Sequence, residues 1–207
     1  MSEEKMKKKS RKTKKRNFFK ENYHESFNYI KDSRKYIYFA IAAFFVFALL
    51  GFLVPAPQGI VEQIMKFIEE LLKKTENMNH FELIRFIFFN NLQSSFYGMI
   101  FGVVFGIFPM ITIIANGYLL GFVAAMSVQY GGVFILWRLF PHGIFELPAV
   151  FISLGLGLKL GMFIFQKNKS ESFKKYLWSS IKVFVFVIIP LLIVAAVIEG
   201  SLISLFD

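Results

Sequence analysis

Arg138-Leu139-Phe140-Pro141-His142-Gly143-Ile144-Phe145-Glu146-Leu147-Pro148-Ala149 is the stretch from which the fold is read. It lies inside a hydrophobic run, yet it carries an arginine, a histidine, a glutamate, two prolines and a glycine. On an α-helix, Arg138, His142 and Glu146 recur at i, i+4 and i+8 and share a face. A charge deep in lipid costs at least ~2.5 kcal/mol even on insertion scales, so such residues face protein, a partner or water. Pro141 and Pro148 each remove a backbone donor and disfavour a smooth helix. Broken helix at membrane depth is tolerated only where protein or a wet cavity surrounds the freed backbone. The stretch is therefore expected at the centre of the fold, in a broken membrane span.

The composition around it agrees. Of 207 residues, 56% are apolar and 28 are phenylalanine, with a mean hydropathy of +0.53. That is too apolar for an ordinary soluble domain and leaves room for roughly five spans of about 20 residues. There is no cysteine, which excludes a disulfide frame, a thiol nucleophile and a thiolate metal site. The net charge of +10 is concentrated: residues 1–35 hold 13 of the 24 Lys/Arg and 5 of the 14 acids. The rest of the chain carries 11 basic and 9 acidic residues, so no basic domain surface for nucleic acid is implied.

Outward from the central stretch, the pattern predicts an all-α membrane protein. It is a bundle of five transmembrane helices with a broken fourth span and an extra amphipathic interfacial helix. Residues 1–35 form a basic cytoplasmic tail, of which 1–20 self-repel and are expected to be disordered. Anionic lipid is a further reading of the tail. Nucleic acid is disfavoured, because no aromatic interleaves the first 17 residues. The transmembrane domain is 36–207. Span one is 36–54, a full-length apolar run that reads as an uncleaved signal anchor, ended by Pro55-Ala56-Pro57. Residues 58–75 put Ile60, Ile64, Phe67, Ile68 and Leu71 on one helical face and Glu62, Lys66, Glu69 and Lys73 on the other. That helix lies in the interface or packs over the bundle and does not span. An interfacial helix to Phe89, a break at Asn90-Asn91, span two at 92–108 and a tight turn at Pro109 follow. One long tilted helix is the alternative. Span three is 110–129, Gly131-Gly132 turns the chain, and span four is 133–165. After the lysine-rich 166–182, span five is 183–203, with a kink at Pro190. The positive-inside rule then puts the N-terminus in the cytoplasm and the C-terminus outside.

Three spans carry small residues every fourth position, which lets helix backbones approach closely. They are Gly98, Gly102 and Gly106 in span two; Gly117, Gly121 and Ala125 in span three; Ala149, Ser153, Gly157 and Gly161 in span four. Spans two, three and four are therefore expected to form the inner core. Spans one and five, without such stripes, are expected outside against lipid.

Catalysis finds no support. One His and one Glu at membrane depth do not fill a zinc site, and no cofactor motif or phosphate-binding loop occurs. His142 and Glu146 at i, i+4 are instead expected to belong to an intramembrane polar knot with Arg138 and with Asn90, Asn91 and Asn116. Two other roles stay open for this group: a proton or ion relay, and a docking surface for a membrane partner.

Asn90-Asn91, the Phe105-Gly106-Ile107-Phe108-Pro109 end of the glycine-spaced span, Asn116-Gly117-Tyr118-Leu119-Leu120-Gly121 and, above all, Pro141 to Ala149 resemble the stage II sporulation protein M family. The likeness covers roughly Tyr36 to the C-terminus and leaves out the basic tail. The resemblance implies a multi-span protein of the cell membrane. For the sporulation member it implies a complex that recruits peptidoglycan-degrading partners during engulfment. The expected function is thus a non-enzymatic integral membrane scaffold or complex subunit. A permease or transporter subunit moving ions or small solutes by way of Glu146 is the alternative. The expected partners are membrane lipid and other membrane or cell-envelope proteins, a homo-oligomer among them, and no nucleic acid.

Overall fold

A computed structural model describes residues 3–206 apart from 135 and 137–139; the side chains of 3–17, 140–145 and 204–206 are also outside the description. The described elements are helical: α1 (Glu3–Leu53), α2 (Gln58–Thr75), α3 (His80–Ile100), α4 (Ile107–Gly131), α5 (Phe140–Gly161), α6 (Lys169–Val183) and α7 (Ile189–Phe206).

The boundaries follow from backbone chemistry. Pro55 and Pro57 lack N–H groups and push the preceding residue out of the α region, which ends α1. The Asn79 side chain accepts from the Phe81 and Glu82 N–H groups, and Glu82 accepts from the Asn79 N–H at 2.9 Å. This reciprocal capping box starts α3. A short 3₁₀ turn, Phe101–Val103, follows α3. Phe105 (φ 55°) and Gly106 (φ 72°) then adopt left-handed backbone that reverses the chain into α4. Gly132 (φ 74°) closes α4. Between α6 and α7, Phe184–Ile188 form a π turn immediately before Pro190. Pro190 has no N–H for the Phe186 carbonyl and its ring crowds that carbonyl, so the helix opens there instead of breaking.

Packing pairs fix the directions. Ile37 meets Gly155, and the Phe44 and Phe151 rings meet edge-on at 5.1 Å, so α5 runs against α1. Gly117 lies on the Phe44 backbone and Gly121 on the Ala48 backbone, so α4 runs with α1. Gly98 meets Leu154, Gly102 meets Gly157 and Gly106 meets Gly161, so α3 runs with α5. Phe96 meets Phe184 and Ile84 meets Gly200, so α7 runs against α3. The second half of α1, then α3, α4, α5 and α7, therefore alternate in direction. In its first half α1 crosses α6 and the π turn: Phe18, Phe19 and Tyr23 surround Phe186, and Glu25 pairs with Lys182 at 2.5 Å.

Among the described residues, four stretches are long and apolar enough to cross a membrane: Phe18–Leu53, Ile107–Gly131, Glu146–Phe165 and Lys169–Ile203. The third is the centre. Buried residues make up 61% of its most apolar window, against 22–33% in the other three. Ala149, Ser153, Leu156, Gly157 and Leu160 are all enclosed.

Several expectations need correcting. The basic segment from Glu3 is helix, continuous with the first span; Lys, Arg and Glu are good helix formers, and extending an existing helix avoids nucleation. Asn90-Asn91 does not break the chain, since α3 passes through both. Pro109 is not the turn. It sits in the first turn of α4, where its missing N–H has no intrahelical partner to lose. Pro141 likewise falls in the first turn of α5, and Pro148 lies within that helix. Span one is not peripheral: Ile37, Ala40 and Phe44 are buried, and the glycines of α4 pack on it rather than on spans two or four. A Cβ on Gly117 would come within 2.5 Å of the Phe44 carbonyl oxygen.

Candidate functional site

Two polar sites lie on α5, one toward each end. At its C-terminal end, Lys159 is buried among α1, α5 and α6, at 8% exposure. Its Nζ donates to the Ser33 hydroxyl at 3.0 Å, and Ser33 donates on to the Tyr29 carbonyl at 2.6 Å. The ammonium sits 3.9 Å from the centre of the Tyr29 ring and 5.5 Å from that of Tyr176. Ring faces attract a desolvated cation, by about 2 kcal/mol when water is excluded. The Tyr29 hydroxyl, in turn, reaches the Tyr176 carbonyl at 3.4 Å. This is a cation held by a hydroxyl and two aromatic rings, and it ties three helices together at one point. Asn22, Ser26, Tyr29, Ser33, Ile37, Ala40 and Phe44 form one continuous buried stripe on α1, at successive spacings of four, three, four, four, three and four. On that stripe Tyr29 reaches α6, Ser33 meets Lys159 of α5, and Ile37 and Phe44 pack on α5.

The sequence analysis did not single out Lys159. A lysine in the last turn of a span reads as a side chain reaching for the interface and favoured by the helix dipole. The available signal was the hydroxyl-bearing half of the α1 stripe, which needs a polar partner.

Toward the N-terminal end of α5, Glu146 is half-buried and engaged. Glu199, near the end of α7, is a second half-buried, engaged carboxylate that the sequence reading also passed over. Arg138 lies outside the described residues, and His142 is in α5 with its side chain outside the description. The asparagines expected beside Glu146 lie on two helices, Asn116 on α4 and Asn90 and Asn91 on α3. Asn116 is exposed on α4, and its amide donates back to the Thr112 carbonyl at 2.8 Å. Asn91 is half-buried and Asn90 is exposed on α3. Asn90 lines an open groove with Glu82, Arg85, Phe86, Phe89 and Gln93.

The small residues of α3 and α5 meet each other. Gly98, Gly102 and Gly106 face Leu154, Gly157 and Gly161 closely enough that a methyl group at Gly102 would strike the Gly157 carbonyl. Within this contact the Ser153 hydroxyl donates to the Ser95 carbonyl at 2.5 Å, and Ala149 is wholly buried nearby. Among the described residues no group of His, Asp and Glu side chains is placed to hold a metal ion.

The family model described as stage II sporulation protein M matches residues 40–202. The chain belongs to the stage II sporulation protein M family. The matched region begins at Ala40 on the buried stripe of α1 and ends in α7, so it takes in α2 to α6 and leaves out the Asn22–Ile37 part of that stripe. A protein of Methanocaldococcus jannaschii described as uncharacterised is 31% identical over 149 residues, which is 69% of this chain and 65% of that relative. The chain thus spans slightly less than two thirds of this family relative. No solved structure matches it.

Proposed function

We propose that the protein is a non-enzymatic subunit of a membrane complex, with five crossings, that holds partner proteins at the cell membrane. The observation that carries this reading is where the polar surface lies. The side of α3 bearing Asn90 and Gln93 is turned outward, from a helix packed along its length between the apolar α5 and α7. Amides at that depth need a hydrogen-bonding partner beyond the bundle. A second uncovered surface is α2, which has an apolar face and no buried residue.

The topology belongs to the same proposal. Five helices alternate in direction, and the basic segments of α1 and α6 lie against each other through Glu25–Lys182 and Tyr29–Tyr176. One end of the bundle therefore collects both lysine-rich segments, and the positive-inside rule places that end in the cytoplasm. It follows that α2 lies at the opposite, outer face, between the end of α1 and the start of α3. The test is the size of the assembly in mildly solubilised native membranes. A particle larger than the 24.0 kDa chain and its detergent is expected. A lone chain there would overturn the reading.

Glu146 and Glu199 support a second reading, a permease subunit, because intramembrane carboxylates mark ion pathways. Proton or cation flux into vesicles that is lost with Glu146→Gln would favour it.

A further inference from the structure

We propose that the partner on the polar face of α3 is a second copy of this chain, bound through α3 itself. This rests on the reading of the protein as a complex subunit and names the partner.

Glu82, Phe86, Phe89 and Gln93 follow one another at spacings of four, three and four, the seam of two helices wound around each other. Arg85 and Asn90 flank the seam, and together these six side chains line an open groove of about 330 Å³. Arg85 lies against the Phe89 ring at 5.7 Å rather than on an acid. Among the described residues the Asn90 and Gln93 amides make no side-chain hydrogen bond. Asn116, an exposed amide on α4, satisfies itself on its own helix.

The chemistry of the seam is self-complementary. An amide is both donor and acceptor, so Gln93 and Asn90 can exchange bonds with their own counterparts across a two-fold axis. Glu82 and Arg85 carry opposite charges one turn apart, so each can meet the other's counterpart on the second copy. The outward faces of the second half of α1 and of α7 are apolar and suited to lipid, as at Phe45 and Leu49 on α1 and Ile193, Val194 and Val197 on α7. The α3 face combines amides, a charge pair and a helix-pair spacing on a helix packed against α5 and α7.

The absence of cysteine makes the test direct. Single cysteines replace Phe86 or Gln93 on the seam and, as controls, Phe45 or Val194. Each variant is oxidised with copper phenanthroline in native membranes. Disulfide-linked dimers are expected at Phe86→Cys and Gln93→Cys, several-fold above the controls, and a two-chain mass is expected for the unmodified chain in lipid nanodiscs. Equal cross-linking at seam and control positions, or a one-chain mass, would overturn the proposal. A photoreactive residue in place of Gln93 separates the two levels of the argument. An adduct to a different protein removes the second copy but leaves the complex-subunit reading standing. Adducts to lipid alone remove both.

Discussion

At Lys159 the interior accepts a charge because the surroundings were built for it. The Ser33 hydroxyl accepts from the ammonium while donating to the Tyr29 carbonyl, and the Tyr29 ring covers the cation. A buried ion with good partners is commonly no more stabilising than an apolar side chain of similar shape, whereas removing one partner strands the charge. Lys159→Met is therefore expected to leave thermal stability within about 1.5 kcal/mol of the parent. Tyr29→Leu, with Lys159 in place, is expected to lose about 1–3 kcal/mol. Thermal unfolding in detergent compares the two, and a Tyr29→Leu protein as stable as the parent would show that the ring does not hold the cation. Glu146 is read the same way, as one member of a satisfied polar group. Glu146→Gln keeps an acceptor and is expected to be tolerated, while Glu146→Leu is expected to lose about 1–3 kcal/mol for each buried group left unpaired. If Glu146→Leu unfolds at the temperature of the parent, the carboxylate supports nothing.

At the scale of elements, the close approaches of α3 to α5 and of α4 to α1 depend on the absence of side chains at Gly102 and Gly121. The opposing atoms are backbone and cannot rotate away. Gly102→Leu and Gly121→Leu are each expected to cost more than the ~1–3 kcal/mol typical of overpacking, and to reduce the yield of folded protein in membranes. The mild outcome, normal yield and unfolding temperature, would mean that the helices are not in contact there. These contacts also show what the sequence could reveal. The period of α2 was legible because its apolar and charged positions separate cleanly at helical spacing, and none of its residues is buried. The glycine stripes announced close helix contact but not its partner; nothing local in Gly117 or Gly121 points to Phe44 and Ala48, more than seventy residues away. Asn90-Asn91 was read as a break because asparagine favours turns, but a capped helix of 21 residues packed on two neighbours overrides that preference. Lys159 stayed hidden because its partner Ser33 is 126 residues distant in sequence. On α2 itself, the Lys73 ammonium hydrogen-bonds to Glu69 at 2.6 Å. That bond holds the Glu69 carboxyl below its ordinary range and Lys73 above its own. Both side chains are largely exposed, so salt screens the pair and it adds little to the stability of α2.

For the whole molecule, one geometric fact organises the topology: the two lysine-rich segments are neighbours in space. Lys182 pairs with Glu25, and Tyr29 reaches Tyr176, so the basic halves of α1 and α6 emerge at the same end of the bundle. In the proposed five-crossing topology the chain goes out from that end through α1, returns through α3, reverses at Gly106, goes out through α4, returns through α5 and goes out again through α6 and α7. On the proposed orientation, the turn at Phe105-Gly106 lies at the cytoplasmic end, and α2 and the end of α7 at the other. The expectation is that a cysteine placed at Glu69 or Lys73 in this cysteine-free chain reacts with a membrane-impermeant maleimide added to intact cells, whereas one at Lys169 or Lys174 reacts only after lysis. Four crossings instead of five, with α3 dipping into the membrane and returning, would put α2 and Lys169 on the same side and give both positions the same labelling. The polar character of α3 makes that the serious competitor. Against it stand the contacts from Ile84–Gly200 to Gly102–Gly157, which hold α3 beside both α7 and α5 over its whole length.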